Sequence, residues 1–218
     1  MTAEKVLTTT RSGRRRLDLE RPVALEAVKE CLEIALQAPS GSNAQRWQFV
    51  VVTDADRRAA IGELYRRACA EYLESAGAAG RLYADDPERS KVQQRVQASV
   101  AHLAERMGWV PVLVLPCLRL PGGDLPSGNQ AGLWGSLLPA AWSYMLAART
   151  RGLATAWTTL HLSYEREVAE VLGLPEDVRQ AALIPTAHHT GEDFRPAKRQ
   201  PLDEVLHLNG WGGTAASG

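Results

Sequence analysis

What the chain is short of narrows the reading first. It has only three cysteines, Cys31, Cys69 and Cys117, far apart and with no C-x-x-C pair. That excludes a disulfide framework and leaves buried thiols acting as small hydrophobes, consistent with a reducing cytoplasm. Net charge is lacking too: 25 Lys and Arg balance 25 Asp and Glu. No global field therefore draws the chain to nucleic acid or to an acidic membrane surface. A secretory apolar region is missing, because Arg14-Arg15-Arg16 runs into the charged stretch Asp18-Leu19-Glu20-Arg21.

The common catalytic signatures are missing as well. No G-x-G-x-x-G follows a strand, no G-x-x-x-x-G-K-[ST] occurs, and neither a G-x-S-x-G elbow nor H-E-x-x-H is present. The five histidines have no metal-ligand spacing, and His188-His189 would point to opposite faces of a strand. His161 follows a predicted strand end, where it faces either a ligand or solvent. No nucleophile and no metal centre emerges, so any redox chemistry must belong to a cofactor.

What is present is an ordinary globular balance, 45% hydrophobic and 23% charged, over a length that suits one domain spanning 1–218 with flexible ends at 1–8 and 210–218. Pro22 introduces a helix whose apolar positions Leu25, Val28, Leu32, Ala35 and Leu36 follow a 3.6-residue period. The turn formers of 39–43 close it and lead into a strand over about 47–53. Thr53-Asp54 is placed to cap a helix over about 55–75, and another covers about 89–107. Between them, 74–90 reads as a mobile loop or weak helix. The β-branched run 110–117 is a buried strand despite two prolines, and 121–128 is a surface loop. Residues 131–148 carry no charge, yet glycine, serine, alanine and Pro139 keep them from reading as a membrane span. They suit a helix buried against its own core and a partner subunit. A strand over 153–159, a helix over about 163–172 ending at Gly173, a strand over 182–187, an irregular basic segment over 190–201 and a frayed tail from Trp211 complete the chain. Helices grouped between separated short strands suit an α+β packing at least as well as a doubly wound sheet.

Four stretches look suited to a ligand. Arg11 to Arg15 offer three guanidiniums and a hydroxyl, matched to phosphate oxygens or simply a solvated tail. The loop 39–48 (PSGSNAQRWQ) sets small side chains beside the carboxamides of Asn43 and Gln45, which fit a heterocycle with donor and acceptor edges, or form an ordinary turn. The threonine-rich strand end 155–160 and the pair Lys198-Arg199 are the other two. A ligand with a phosphate at one end and a polar heterocycle at the other would use all four.

In this order and spacing, 11–15, 38–47 (APSGSNAQRW), 135–140 (GSLLPA), 152–159 (GLATAWTT) and 194–202 (FRPAKRQPL) resemble the FMN-dependent nitroreductase family over nearly the whole chain. The resemblance implies an α+β fold with a central antiparallel sheet flanked by helices, and a homodimer cored by the long uncharged helix. Two FMN molecules would lie at the interface. Arg11, Ser12 and Arg15 would grip the phosphate and ribityl chain, with Lys198 and Arg199 completing the phosphate site. Ser40, Ser42, Asn43 and Gln45 would reach in from the partner. Trp157, Thr158, Thr159 and Leu160 would line the ring, with a backbone N–H near Thr159 or Leu160 facing flavin N5. Alignment through Leu17 sets Gly13 where many members carry Ser, so the Ser12 hydroxyl or backbone N–H groups would substitute. The implied activity is ping-pong transfer from NADH or NADPH to a nitroaromatic, quinone or activated alkene. A biosynthetic oxidase or dehydrogenase, or a flavin-sequestering protein without turnover, are the alternatives.

Overall fold

The computed structural model describes residues 1–191 and 194–213. Helices α1 (Ala3–Thr9), α2 (Leu25–Ala35), α3 (Ala55–Glu74), α4 (Pro87–Ala104), α5 (Ala131–Thr150) and α6 (Glu165–Leu172) enclose one sheet. Its strands are β1 (Leu17–Asp18), β2 (Trp47–Val52), β3 (Val112–Arg119), β4 (Leu153–Thr155), β5 (Val178–Gln180) and β6 (Ile184–His189). Every strand pair is antiparallel, so the architecture is the α+β one expected.

β3 is the spine. Leu113, Leu115 and Cys117 point into a core shared with α3, α4 and α6, while Val112 and Val114 point into a second core under α2 and α5. Apolar residues on both faces explain why β3 reads as a continuous hydrophobic run rather than an alternating one. One edge of β3 carries β2, and the other carries β6 and then β5. Pro116 sits at that hand-over. Its carbonyl accepts the Ala181 N–H at 2.9 Å, so its missing N–H faces the edge between the Val114–Ile184 and Cys117–Gln180 pairs, where no ladder bond needs it.

α3 begins where Thr53-Asp54 indicates: the Asp54 carboxylate accepts the Arg57 N–H at 2.9 Å. Ile61, Tyr65, Ala68 and Cys69 form its buried stripe. Along α5, Leu137, Ala141, Tyr144, Met145 and Ala148 face inward, and the Tyr144 hydroxyl lies 2.9 Å from Thr186 Oγ1. Gly132 and Gly135 are exposed and Ser136, Pro139 and Ser143 half-buried, a small-residue face on which the chain rests the loop at Gly41, against Ser136. Among the described residues no helix is long and apolar enough to cross a membrane.

Several local expectations are corrected. The N-terminus forms α1, capped by Thr2, with Val6 and Thr9 buried, instead of a loose end. The stretch 74–90 holds a 3-10 turn, Ala79–Arg81, tied down because Tyr72 Oη accepts the Ala79 N–H at 2.7 Å and Gln97 Oε1 accepts the Gly80 N–H at 2.8 Å. The strand expected over 153–159 stops at Thr155: the Ala156 N–H still donates to the Pro185 carbonyl at 3.3 Å, but Pro185 has no N–H to return, and the pairing resumes as a single bridge between Thr158 and Leu183. Of the irregular segment 190–201, residues 192–193 lie outside the described residues, as do 214–218 of the expected tail.

Candidate functional site

The arginine strip is placed by α1 and held by β4. α1 ends in Thr8, Thr9 and Thr10, whose hydroxyls donate back to the carbonyls of Glu4, Lys5 and Val6, satisfying the end of a helix without a basic last turn. The chain then runs extended beside β4. Ser12 bridges Thr155, the Gly13 N–H donates to Thr155 O at 2.7 Å, and Ser12 Oγ accepts the Trp157 N–H at 3.0 Å. Ser12 therefore fastens the strip to the strand end, and its own O–H is what remains for a ligand. The Gly13 N–H is already committed, which excludes it as a substitute phosphate donor. Gly13 is also closely surrounded: a Cβ there would lie 3.3 Å from both Ala154 Cβ and Phe194 Cζ, so a side chain would have to push these neighbours by a few tenths of an ångström.

The three guanidiniums go different ways. Arg11 donates from Nη2 to the Arg195 carbonyl at 2.6 Å, joining the strip to the C-terminal segment. Arg15 is exposed and reaches the Ala98 carbonyl at 3.3 Å. Arg14, which the motif reading left without a role, turns inward to Ser99 Oγ at 3.4 Å, and its buried Nε finds no acceptor among the described residues. Burial holds its pKa below the ordinary arginine value, opposed in part by the nearby Tyr65 and Tyr72.

The strand end is more internally committed than its composition suggests. Thr158 exchanges backbone hydrogen bonds with Leu183, and its hydroxyl pairs with the Tyr65 hydroxyl at 2.8 Å. Its buried side chain therefore serves the fold. Trp157 and Leu160 are half-buried against the α2/α5 core and the α3/α4 core respectively, and Thr159 is exposed. The backbone N–H groups of Thr159 and Leu160 find no acceptor among the described residues. His161, next along, is fully buried, so neither the solvent-facing nor the open ligand-facing reading holds. Burial pushes its pKa down to about 4, and neither ring nitrogen has a partner among the described residues.

The loop that carries Ser40, Ser42, Asn43 and Gln45 stands apart. Ser42, Asn43 and Gln45 take left-handed backbone angles (φ 54, 52 and 48°) in a tight turn. Ser40 Oγ accepts the Gln45 N–H at 3.2 Å, Asn43 Oδ1 accepts from Gln45 Nε2 at 2.9 Å, and the Gly41 N–H donates to Ser136 Oγ at 2.9 Å. The loop thus rides on the start of α5. Among the described residues no hydrogen bond joins it to the arginine strip or to 155–160.

The structure thus brings together 11–15, 155–160 and the start of the closing segment at Phe194 and Arg195. Lys198 and Arg199 are exposed, only three and four residues beyond the Arg11 contact, or at most about 14 Å of extended chain. A groove of about 570 Å³ runs alongside, between α1 and Phe194, Arg195 and Pro196. A smaller hollow of about 250 Å³, lined by Leu125, Trp134, Leu138 and Gln180 among others, touches none of these stretches.

These residues can be tested against the flavin mononucleotide that the resemblance implies. Among the described residues none of Arg11, Arg15, Lys198 and Arg199 forms an ion pair, so four cations remain for a phosphate. The two uncommitted N–H groups at Thr159 and Leu160 suit the acceptor edge of a heterocycle. The donor set fits the group. Sequence reasoning missed Tyr65 and Phe194. Tyr65 registers only as one more core position of α3, and Phe194 only as the first letter of the closing motif.

Comparison with known proteins gives the same picture. The Nitroreductase family model matches residues 7–188. Rat iodotyrosine deiodinase 1 is 24% identical over 188 residues, 85% of this chain and 62% of that protein, so the chain spans under two thirds of that relative. A putative NADH dehydrogenase/NAD(P)H nitroreductase of Archaeoglobus fulgidus is 25% identical over 210 residues, 95% of this chain and 97% of the other. The crystal structure of the FMN and NADPH-dependent nitroreductase NfnB from sphigopyxis sp. strain HMH superposes with a TM-score of 0.70 at 24% identity, covering 97% of this chain and all of that one. That structural likeness speaks for the fold. With the family model spanning most of its length and the antiparallel sheet arranged as the family requires, the chain belongs to the nitroreductase family.

Proposed function

We propose that the protein is an FMN-dependent oxidoreductase drawing electrons from NADH or NADPH, built as a homodimer with two flavin sites shared between subunits. The observation that carries this reading is the pair of uncommitted backbone N–H groups at Thr159 and Leu160, set beside a strip of arginines without ion pairs among the described residues. Arg11, Arg15, Lys198 and Arg199 would hold the phosphate, and the Ser12 O–H would add a donor while its oxygen keeps the strip on Trp157. Thr159 and Leu160 N–H groups would orient the ring and stabilise negative charge on it, electrostatic work resembling that of an oxyanion hole. Trp157 would pack the ring, and Thr158, locked by Tyr65, would keep that backbone from shifting. When bound, the isoalloxazine supplies the two-electron chemistry between a reduced nicotinamide and a small acceptor such as a nitroaromatic, quinone or activated alkene.

The homodimer follows from the loop 40–45. Its residues from Gly41 on are exposed, no hydrogen bond joins it to the chain's own strip among the described residues, and it rests on Ser136 in the small-residue face of α5. Packing that face on a second copy would present Ser40, Ser42, Asn43 and Gln45 to the neighbour's flavin. The free, buried cysteines agree with a cytoplasmic setting. Relatives named iodotyrosine deiodinase make a halogenated tyrosine a second candidate acceptor, distinguished by whether 3-iodotyrosine reoxidises the reduced protein.

The test is an absorbance spectrum of the purified protein followed by anaerobic titration with NADH and NADPH. The expected result is a flavin spectrum bleached by at least one donor. A flavin spectrum that neither donor bleaches would leave a flavin carrier, and colourless protein after soaking in FMN would refute the cofactor. Replacing Arg11 and Arg15 together by Ala should empty the flavin site and leave the far-ultraviolet circular dichroism unchanged.

A further inference from the structure

Resting on that reading, we infer that Phe194 is the positioning residue that makes the site discriminate a phosphorylated flavin from an unphosphorylated one. Three guanidinium carbons surround its ring: Arg16 at 4.8 Å, Arg149 at 5.2 Å and Arg11 at 5.8 Å from the centroid. His189, at the end of β6, packs against it with centroids 4.8 Å apart and planes tilted by 60°. Its Cζ lies over Gly13, where any side chain would press on it at 3.3 Å. The ring is thus seated at the meeting point of the arginine strip, the end of α5, the end of β6 and the C-terminal segment. The neighbouring peptide is held as well, since Arg11 donates to the Arg195 carbonyl at 2.6 Å.

This seat decides where the following residues lie. Lys198 and Arg199 are exposed and form no ion pair among the described residues, so the anchor at 194–195 tethers them within about 14 Å of extended chain from the Arg11 contact. Several cations act on one phosphate only if they converge, and convergence depends here on an aromatic ring held by cation–π contacts. The ring-binding groups at Thr159 and Leu160 belong to a different stretch, fastened through Ser12 and Leu183 rather than through Phe194. Loss of the Phe194 ring should therefore weaken the hold on the phosphate and spare the hold on the isoalloxazine. The Gly13 departure from the family pattern acquires a reason as well: the ring occupies the space a serine side chain would take.

The experiment compares dissociation constants of FMN and riboflavin, by flavin fluorescence quenching, for the full-length apoprotein of wild type, Phe194→Leu and Gly13→Ala. Wild type is expected to prefer FMN. In Phe194→Leu that preference should fall about tenfold, the scale of one or two lost cation–π contacts, with riboflavin affinity unchanged. Gly13→Ala, which pushes on the ring and leaves every arginine in place, should lower the preference in the same direction and decides the matter should Phe194→Leu not fold. An unchanged preference, or an equal loss for both flavins, overturns the inference. A wild-type protein that binds flavin but shows no preference for FMN overturns the phosphate-site reading itself, an outcome distinct from failure in the variants.

Discussion

The pair Tyr65–Thr158 gives the sharpest test of how the scaffold holds the site. The Tyr65 side chain is fully buried on α3, Thr158 is 7% exposed, and their hydroxyls lie 2.8 Å apart. Tyr65→Phe removes one hydroxyl with almost no change of shape and leaves the Thr158 hydroxyl buried without its partner. A buried group left unsatisfied costs about 1–3 kcal/mol. Since Thr158 can rotate, a loss of about 1–2 kcal/mol is expected, or roughly 2–4 °C in Tm per kcal/mol for a chain of this size. Thr158→Val should cost a similar amount. The double variant, with both hydroxyls gone, should cost less than the sum, leaving a coupling of about 1 kcal/mol. Urea unfolding of the four proteins, read as midpoint and slope, measures it. The pH dependence has a definite sign. Burial pushes the Tyr65 phenol up to about 12 from an ordinary value near 10, so the stability of wild type relative to Tyr65→Phe should be constant from pH 6 to 9. It should shrink above about pH 10, as the unfolded state begins to ionise first. Strictly additive single variants would refute the idea that α3 supports the strand end through this bond.

Other consequences follow from the same geometry. Gly62→Ala ought to help a helix by roughly 0.5–1 kcal/mol on propensity alone, but its Cβ would sit 2.5 Å from the Gly108 backbone nitrogen. Net destabilisation of about 2 kcal/mol or more is expected from this overpacking, and an unchanged Tm would contradict the packing. His161, with its pKa lowered to about 4 by burial, is more readily protonated when the chain unfolds. Stability should therefore be full above about pH 6.5 and fall by roughly 1 kcal/mol per pH unit towards pH 4; His161→Asn should flatten that limb in urea titrations at stepped pH. Ser12→Ala deprives the half-buried Trp157 N–H of its acceptor. A cost of about 1 kcal/mol and quicker amide exchange at Trp157 should follow, and unaltered exchange would show that the strip is held by other contacts.

The parts of the fold readable in the residues are those whose own periodicity forces them. β3 is apolar on two faces, α3 carries a 3.6-residue stripe with a capping aspartate, and the uncharged 131–148 is α5. The parts that were not readable owe their existence to neighbours. β1 and β5 are two and three residues long and form only because β6 and β3 offer open edges. β4 ends early because Pro185, far away in sequence on β6, has no N–H to return to Ala156. α1 is short and rich in threonine, a poor helix former, and is held by buried Val6 and by hydroxyls turned back on its carbonyls.

At the site the same division separates donor types from donor availability. A sequence displays which residues can hydrogen-bond, and the motifs pointed to 11–15, 155–160 and the segment opening at Phe194, which touch in the fold. Whether a given donor still faces a ligand depends on what the fold has already asked of it. Thr158 looks equivalent to Thr159 in the run Ala156-Trp157-Thr158-Thr159, yet the first is tied to Tyr65 and Leu183 while the second keeps its N–H without an acceptor among the described residues. In the strip, Arg14 and Arg15 form a turn closed by the Arg16 N–H on the Gly13 carbonyl at 2.7 Å, and it sends Arg14 inward beside Tyr65 while Arg15 stays at the surface. Gly13 completes the logic. Its N–H is bound to Thr155 and its missing side chain makes way for Phe194, so the residue at this departure from the family pattern acts as a seat and offers no contact of its own. In the proposed site, phosphate recognition would be divided between cations legible in the sequence and an aromatic anchor legible only in the fold, and exchanging Phe194 probes the second without touching the first.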